Sequence, residues 1–238
     1  MSVIRRNIPN AVTCVNILSG VMAIITAGYG TDPLWCGLAG YKWAYIFVGI
    51  AAIADFSDGF AARALHAYSD MGKELDSICD VVSFGVVPAI IMYNCLDWAA
   101  QSMSALAWCK WIAPLIASSA ALRLAKFNID TRQTSSFIGL PVPANAIFWI
   151  GYSSICYNDH PLMAEWYVVI PAILILSWLM LSEVPLFSLK FKTWGWKGNQ
   201  WRWILIITAP ILVICLGWAG MMWLIIAYLF FGFLASRL

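Results

Sequence analysis

The sequence predicts an all-α membrane protein, a polytopic bundle of about eight transmembrane helices. Hydrophobic residues make up 62% of its 238 residues, charged residues make up only 11%, and the mean hydropathy is +0.80. A soluble domain would carry about 25% charged residues. Long apolar runs recur along the whole chain, and about 20 apolar residues suffice for one membrane-spanning helix. We therefore predict a single membrane domain over residues 1–238.

Seven apolar runs define the predicted helices. The last run, 203–236, has 34 residues, which is more than the roughly 20 that one span needs. We divide it near Gly217 and Gly220 into a helical hairpin, which gives eight helices. One long tilted helix, which would give seven, is the alternative. The other runs are 11–30, 43–65, 77–96, 106–127, 142–158 and 166–187.

The first nine residues, MSVIRRNIP, mix apolar side chains with two arginines. They could form a short amphipathic segment at the membrane interface. A frayed basic terminus held by lipid head groups is the alternative. Pro9 suits the first turn of a helix, so we expect the first transmembrane helix to begin there.

The basic residues predict the orientation of the bundle. If the N-terminus lies in the cytoplasm, 12 of the 14 Lys and Arg residues fall on the cytoplasmic side. Only Lys42 and Lys110 fall outside, in agreement with the positive-inside rule. We therefore predict an integral protein of the cell or inner membrane. A net charge of only +2 gives no reason to expect a nucleic-acid partner. The residues on the cytoplasmic side are Arg5, Arg6, Arg63, Lys73, Arg123, Lys126, Arg132, Lys190, Lys192, Lys197, Arg202 and Arg237.

Six of the 12 acidic residues lie within 26 positions, 55–80, and four of these are aspartates at the cytoplasmic ends of the second and third predicted helices. Asp55 and Asp58 are three residues apart, and Asp76 and Asp80 are four apart, so each pair lies on one helix face. Gly72 lies in the turn region, and two antiparallel helices joined by a short turn can bring both pairs together. A carboxylate at membrane depth usually faces the bundle interior or a water-filled cavity.

These carboxylates suggest a metal site. Four carboxylates in one cleft repel each other unless cations compensate their charge. Hard divalent cations such as Mg²⁺, Mn²⁺ or Ca²⁺ prefer carboxylate oxygens, so we interpret the cluster as a site for one or two ions. The alternative for a single aspartate is a helix cap or an ion pair, with Arg63 for Asp58 or Lys73 for Asp76. Small residues beside the aspartates let a bulky group approach, and such a site suits a diphosphate-bearing substrate.

Two further polar groups interrupt the apolar helices. Asn10, Thr13 and Asn16 recur every three residues near the start of the first helix. Taken alone, they are most simply explained by hydrogen bonds between helices. The end of the fourth predicted helix is most simply explained by side chains that reach the lipid head groups. It carries Arg123, Lys126 and Asn128.

The central motif resembles that of a known family. Residues 55–80 match the pattern D-x2-D-G-x2-A-R-x8-G-x3-D-x3-D at every fixed position. This pattern is typical of the CDP-alcohol phosphatidyltransferase family. Over roughly the first 150 residues, four flanking segments resemble the integral-membrane members that use serine as acceptor. These segments are IPNAVTCVN (8–16), DVVSFGVVPA (80–89), RLAKFN (123–128) and FIGLPVPANA (137–146).

The resemblance implies a reaction in which the phosphatidyl group of CDP-diacylglycerol passes to the hydroxyl of L-serine, with release of CMP. It also implies a lipid bilayer environment, a homodimer, and two divalent ions, Mg²⁺ or Mn²⁺, with Ca²⁺ as a further option. The catalytic helices would span 10–158, additional helices would span 166–238, and the active site would face the cytoplasm.

The resemblance also implies roles for individual residues. All four aspartates would hold the metal ions, and Asp80 would act as general base on the serine hydroxyl. Asn16, Arg123, Lys126 and Asn128 become candidates to bind the acceptor. The nucleotide and its diphosphate would contact Gly59, Ala62, Arg63, Gly72, Asn10 and Thr13.

Two other functions stay open on the sequence. One is the same reaction with another acceptor, such as glycerol 3-phosphate, inositol phosphate or choline. The other is a cation or proton transporter, because intramembrane aspartates often mark ion pathways. A transporter would need polar groups through to the far side, and the outer halves of the predicted helices lack acidic residues.

Overall fold

A computed structural model describes residues 3–101, 107–130, 137–158, 164–186, 195 and 199–235. Within these residues the chain is almost entirely helical, and five helices are long and apolar enough to cross a membrane. The predicted all-α membrane bundle is therefore confirmed. Several basic residues that were assigned to the cytoplasmic side lie outside the described residues: Arg132, Lys190, Lys192, Lys197 and Arg237.

The described part of the chain contains nine α-helical segments: α1 (Val3–Ala27), α2 (Gly40–Ala64), α3 (Asp70–Asp80), α4 (Val87–Ala100), α5 (Pro114–Ile129), α6 (Val142–Tyr157), α7 (Trp166–Leu181), α8 (Gln200–Leu216) and α9 (Gly220–Ala235). A π-helical turn, Val81–Val86, joins α3 to α4 without a break. If α3 and α4 are counted as one continuous helix, the described residues contain eight helices. π-helical turns are rare and frequent at functional sites, and this one begins directly after Asp80.

Helix α1 begins earlier than predicted. It starts at Val3, and Pro9 lies in its interior, so the prediction that the helix begins at Pro9 is wrong. Proline removes one backbone hydrogen bond without ending every helix. Thr13 Oγ1, one turn further along α1, lies 3.1 Å from the carbonyl oxygen of Pro9. α1 packs along both α2 and α3.

The turn between α2 and α3 is short, as predicted. α2 ends at Ala64 and α3 begins at Asp70. Ser69 is the N-cap of α3, and its hydroxyl oxygen accepts a hydrogen bond from the Gly72 amide at 3.0 Å. The side-chain cap satisfies an amide that has no partner within the helix. The turn therefore fixes where α3 starts relative to α2.

The last apolar run folds back on itself. Residues Gln200–Leu234 are strongly apolar, yet α8 ends at Leu216 and a short 3₁₀ turn leads into α9. Gly217 has a φ of +57°, a backbone conformation that glycine adopts readily. Trp201, at the start of α8, stacks on Phe231, near the end of α9, with ring centroids 5.3 Å apart. The predicted hairpin is confirmed, and the single tilted helix is wrong.

Helix α6 lies at the centre of the bundle. Most of its residues are buried, and it packs against α4 and α9. Two short strands, β1 (Phe137–Ile138) and β2 (Pro185–Leu186), pair antiparallel. They tie the segment before α6 to the segment after α7. The sequence did not predict this pairing, since two residues are too few to show an alternating pattern.

Candidate functional site

Three of the four aspartates converge. Asp76 and Asp80 lie one turn apart on α3, and Asp55 faces them from α2 across the short turn. One carboxylate oxygen from each of the three lies within 4.8 Å of the other two. Carboxylate oxygens at this separation are the ligands that hard divalent cations prefer. Asp55, Asp76 and Asp80 are therefore a group that could hold a metal ion; we call them the acidic cluster.

The fourth aspartate, Asp58, is held separately. It is only 6% exposed, and its Oδ2 accepts a hydrogen bond from Thr13 Oγ1 at 2.6 Å. Helix spacing places Asp55 and Asp58 on the same side of α2, but α1 packs against that side and binds Asp58. The predicted set of four is thus divided between three clustered carboxylates and one that α1 binds.

The acidic cluster is not compensated by ion pairs within the described chain. The ion pairs formed there are Lys110–Asp97 at 2.5 Å and Lys126–Glu183 at 3.7 Å. The alternative pairs Asp58–Arg63 and Asp76–Lys73 are absent from these residues. Asp76 Oδ1 is buried and has no hydrogen-bond partner among the described residues. Like charges so close together repel, so the cluster suits a bound cation better than separate ion pairs or caps.

Asn16 connects α1 to Asp80. Its buried Nδ2 donates a hydrogen bond to Asp80 Oδ1 at 3.1 Å. Its backbone carbonyl accepts one from Ser83 Oγ, also at 3.1 Å. Together with the Thr13 contact, this explains the polar stripe on α1. The stripe does make hydrogen bonds between helices, and its acceptors include two of the four aspartates.

A pocket of about 210 Å³ opens beside the aspartates. Asp58 and Asp76 contribute to its wall, whereas Asp55 and Asp80 are not among its lining residues. All six residues for which we predicted contacts with a nucleotide or diphosphate line this pocket: Asn10, Thr13, Gly59, Ala62, Arg63 and Gly72.

Sequence reasoning did not predict five other lining residues: Pro9, Ala67, Tyr68, Ser69 and Lys73. Ser69 could have been found, because a serine before an acidic residue at a helix start is an N-cap signal. Lys73 had been considered only as an ion-pair partner for Asp76. Its Nζ instead donates to the backbone carbonyl of Asn128 at 3.4 Å.

The four acceptor candidates do not form one group. Asn16 contacts Asp80, and Arg123 is buried within electrostatic range of Asp80. Lys126 Nζ donates to the Leu181 carbonyl at 3.2 Å, at the end of α7. Asn128 Nδ2 donates to Ser77 Oγ on α3 at 2.9 Å. Asn16 thus contacts the acidic cluster, Arg123 lies within electrostatic range of it, and the other two candidates connect α5 to neighbouring helices.

The sequence also matches known proteins. The family model described as CDP-alcohol phosphatidyltransferase matches residues 6–184. A Methanocaldococcus jannaschii protein named CDP-diacylglycerol–serine O-phosphatidyltransferase is 36% identical over 145 residues, 61% of this chain and 59% of that protein. Proteins of the same name from Bacillus subtilis (35% identical, 57% of this chain, 69% of the relative) and Helicobacter pylori (30%, 79% and 75%) also match. The chain thus spans less than two thirds of the M. jannaschii relative.

Proposed function

Because the chain belongs to the CDP-alcohol phosphatidyltransferase family, we propose that it transfers the phosphatidyl group of CDP-diacylglycerol to L-serine, giving phosphatidylserine and CMP. The names of the relatives support serine as the acceptor. One structural observation carries the proposal. The acidic cluster lies beside a pocket lined by the six residues expected to contact a nucleotide or its diphosphate.

The acidic cluster fits a divalent metal. Its three carboxylates offer hard oxygen ligands, and Asp76 Oδ1 is buried without a partner in the described chain. Asp55, Asp76 and Asp80 would hold a metal, and Asp58 is the fourth candidate. We propose two ions, Mg²⁺ or Mn²⁺, with Ca²⁺ as a further option. Bound ions of this kind neutralise phosphate oxygens and stabilise the leaving group in an in-line displacement.

Asp80 is the proposed general base. Asn16 Nδ2 donates to Asp80 Oδ1, which orients the carboxylate and leaves Oδ2 for a substrate hydroxyl. Asp80 accepts the serine hydroxyl proton as the serine oxygen attacks the phosphorus next to diacylglycerol. The bond from that phosphorus to the bridging oxygen of the diphosphate breaks, and CMP leaves with its electron pair. The proton then passes from Asp80 to CMP or to water.

The pocket is the proposed nucleotide site. Gly59 and Ala62 present little side-chain bulk to it, so a cytidine ring can approach the backbone of α2. Arg63 contributes a positive charge to the same wall, which favours a diphosphate. Lys73 adds a second basic side chain.

We further propose that the site faces the cytoplasm of a bilayer-embedded homodimer. Arg63, Lys73 and Arg123 lie at the end of the bundle that carries the aspartates. Lys110 lies at the opposite end, bound to Asp97. This distribution agrees with the positive-inside rule. The homodimer rests on the family resemblance alone, whereas the interfacial position of residues 1–9 rests on their mixture of apolar side chains and two arginines.

The test is an acceptor screen with purified protein. CDP-diacylglycerol is incubated with L-serine, glycerol 3-phosphate, inositol phosphate or choline, each with Mg²⁺, Mn²⁺ or Ca²⁺, and the lipid product is identified by mass spectrometry. We expect phosphatidylserine and CMP in equal amounts, with serine only. A different lipid product would assign another acceptor to the same chemistry. Divalent ion flux through liposomes without lipid turnover would instead support a transporter.

A further inference from the structure

Asn145, in the first turns of α6, carries a buried amide group that is only half satisfied. Its side chain is 0% exposed. The indole Nε1–H of Trp149 lies 3.0 Å from Asn145 Oδ1. An indole nitrogen can only donate, so the amide oxygen must face it. The Nδ2 donors are then left without a hydrogen-bond partner among the described residues. Buried donors are rarely left unpaired, so this one points to a ligand.

Arg123 on α5 carries a second unpaired donor. It is 6% exposed, and its Nη2 has no hydrogen-bond partner in the described chain. The guanidinium lies over the ring of Phe127, 4.8 Å from its centroid, so its face is covered while its edge can still bind. It lies within electrostatic range of both Asp80 and Tyr228.

The two helices that carry the unpaired donors flank the π-helical turn that follows Asp80. Helices α5 and α6 each pack against Val81–Val86. Gly85 of this turn lies directly against Ala120, one turn before Arg123 on α5. Side chains tilt toward the N-terminus of their helix, so Asn145 points toward the end of the bundle that carries Asp80. Arg123 lies on α5, which runs in the opposite direction, so its side chain points away from that end and into the bundle. Along the bundle axis, the two side chains therefore point in opposite directions, toward each other.

Helices α6 and α9 run antiparallel. Gly151 of α6 packs against the backbone of Met222 on α9. Further along α6, Ser153 is hydrogen-bonded to Tyr45, whose ring lies 5.4 Å from that of Trp218, just before α9. A later residue of α6 therefore lies level with an earlier residue of the α9 segment, as expected for antiparallel helices. Strand β2, paired to β1 just before α6, packs against α9 as well.

This register brings Tyr228 to the depth of Asn145. Both helices rise about 1.5 Å per residue, so the sixth residue after Met222 is level with the sixth before Gly151. These two residues are Tyr228 and Asn145. Tyr228 is buried on the inner face of α9 and lies within electrostatic range of Arg123.

We propose that Arg123, Asn145 and Tyr228 form a buried pocket that binds the carboxylate group of the acceptor substrate next to Asp80. This inference rests on the proposed function, since it describes the acceptor end of the same site. An anion with two oxygens can accept from the cationic Nη2 and from the neutral Nδ2. Next to Asp80, which Asn16 Nδ2 contacts, the buried Asn16 Oδ1 is an acceptor without a partner in the described chain, which suits an ammonium group.

The pocket therefore predicts an amino acid as acceptor. A choline or ethanolamine molecule has no group for the two donors and would place a positive charge near Arg123. A site built to bind a substrate group strongly rejects analogues without it, because the buried donors stay unpaired.

The experiment measures steady-state kinetics of three variants of the full chain with L-serine. Asn145→Asp keeps the shape and the oxygen that faces Trp149, but it removes the free donors and adds a negative charge. Tyr228→Phe removes only the hydroxyl. Tyr45→Phe is the matched control, because it removes a buried hydroxyl at the outer end of α6, where Tyr45 contacts Ser153 at 2.7 Å.

We expect Asn145→Asp to raise the KM for L-serine by about tenfold or more and Tyr228→Phe to raise it less. The KM for CDP-diacylglycerol should stay unchanged in both. Preference for L-serine over serinol, which carries a hydroxymethyl group in place of the carboxylate, should fall. The Tyr45→Phe control should keep both the serine KM and the preference.

The outcomes separate this inference from the proposed function. If the wild type uses serine and both variants keep its serine KM and its preference over serinol, the carboxylate pocket is wrong and the function stands. If the wild type prefers an acceptor without an anionic group, both are wrong. If it prefers glycerol 3-phosphate and Asn145→Asp raises the KM for that acceptor, the function fails and the pocket stands as an anion site.

Discussion

Thr13 on α1 donates a hydrogen bond to Asp58 on α2, with 2.6 Å between hydroxyl and carboxylate oxygens. Both side chains are buried. The same hydroxyl lies 3.1 Å from the Pro9 carbonyl oxygen, but its single proton favours the shorter contact to a charged acceptor. A residue of the polar stripe on α1 thus fixes the one aspartate that stands apart from the acidic cluster, at the wall of the pocket.

Replacing Thr13 tests whether this contact supports substrate binding. Thr13→Val keeps the side-chain shape and removes the hydroxyl, which leaves a buried carboxylate oxygen without its donor. A hydrogen bond to a charged group contributes about 1.5–3 kcal/mol, so we expect kcat/KM for CDP-diacylglycerol to fall about tenfold to a hundredfold. Thr13→Ser keeps the hydroxyl and should retain most activity. Equal activity of the two variants would contradict a role for the hydrogen bond.

Asp80→Asn tests the general base. The substitution keeps the size of the side chain and removes the group that accepts the serine proton. General-base catalysis contributes about 10²–10⁴-fold, so kcat should fall by at least the lower of these factors, with CDP-diacylglycerol binding largely retained. Asp32→Asn, an exposed position outside the site, is the control. Recovery of near-normal kcat at high Mn²⁺ would show that Asp80 acts only as a metal ligand.

Metal removal should expose the repulsion within the acidic cluster. Chelation with EDTA is expected to abolish phosphatidyl transfer and to lower the Tm of the purified protein, because three crowded carboxylates then lose their counter-charge. Re-addition of Mg²⁺ or Mn²⁺ should restore both. An unchanged Tm with and without divalent ions would contradict metal binding by these residues.

Asp76→Asn assigns that effect to one carboxylate. It removes one negative charge from the cluster, so the metal-free variant should have a higher Tm than the metal-free wild type. Its rise in Tm on adding Mg²⁺ should be smaller. Asp70→Asn makes the same charge change on the exposed side of α3, and its response to Mg²⁺ should match that of the wild type.

Much of the fold was predictable, because the membrane-spanning helices of a protein appear in its sequence as long apolar runs. Apolar runs of sufficient length located the eight helices of the described residues, with α3 and α4 counted as one, and Gly217 and Gly220 located the hairpin. The role of Pro9 was predicted wrongly, because proline is common at the first position of a helix. The few residues before Pro9 are too short a stretch to show that α1 begins at Val3. The β1–β2 pairing and the π-helical turn depend on tertiary contacts that no local pattern reports.

The site was predictable where function depends on spacing along a helix. The intervals among Asp55, Asp58, Asp76 and Asp80 placed the carboxylates on matching faces, and the pocket contains all six predicted nucleotide residues. The separation of Asp58 was not predictable, because it depends on α1 packing against α2. Asn145 and Tyr228 were missed for a related reason, since the place proposed for them near Arg123 depends on the packing of α6 and α9, which are far apart in sequence.

Gly151 tests the α6–α9 register on which the carboxylate pocket depends. A Cβ added there would lie 2.9 Å from Met222 Cα, so α9 would have to move away from α6. We expect Gly151→Ala to destabilise the protein by about 1–3 kcal/mol, as overpacking of a core does, and to raise the KM for serine through displacement of Tyr228. Gly49→Ala on α2 is the matched control, because nothing lies within 4 Å of its added Cβ. Alanine is preferred over glycine in a helix, so Gly49→Ala should have the same free energy of unfolding as the wild type or one higher by up to about 1 kcal/mol. Thermal unfolding in detergent measures both variants, and equal Tm values for Gly151→Ala and Gly49→Ala would contradict the close approach of α6 and α9.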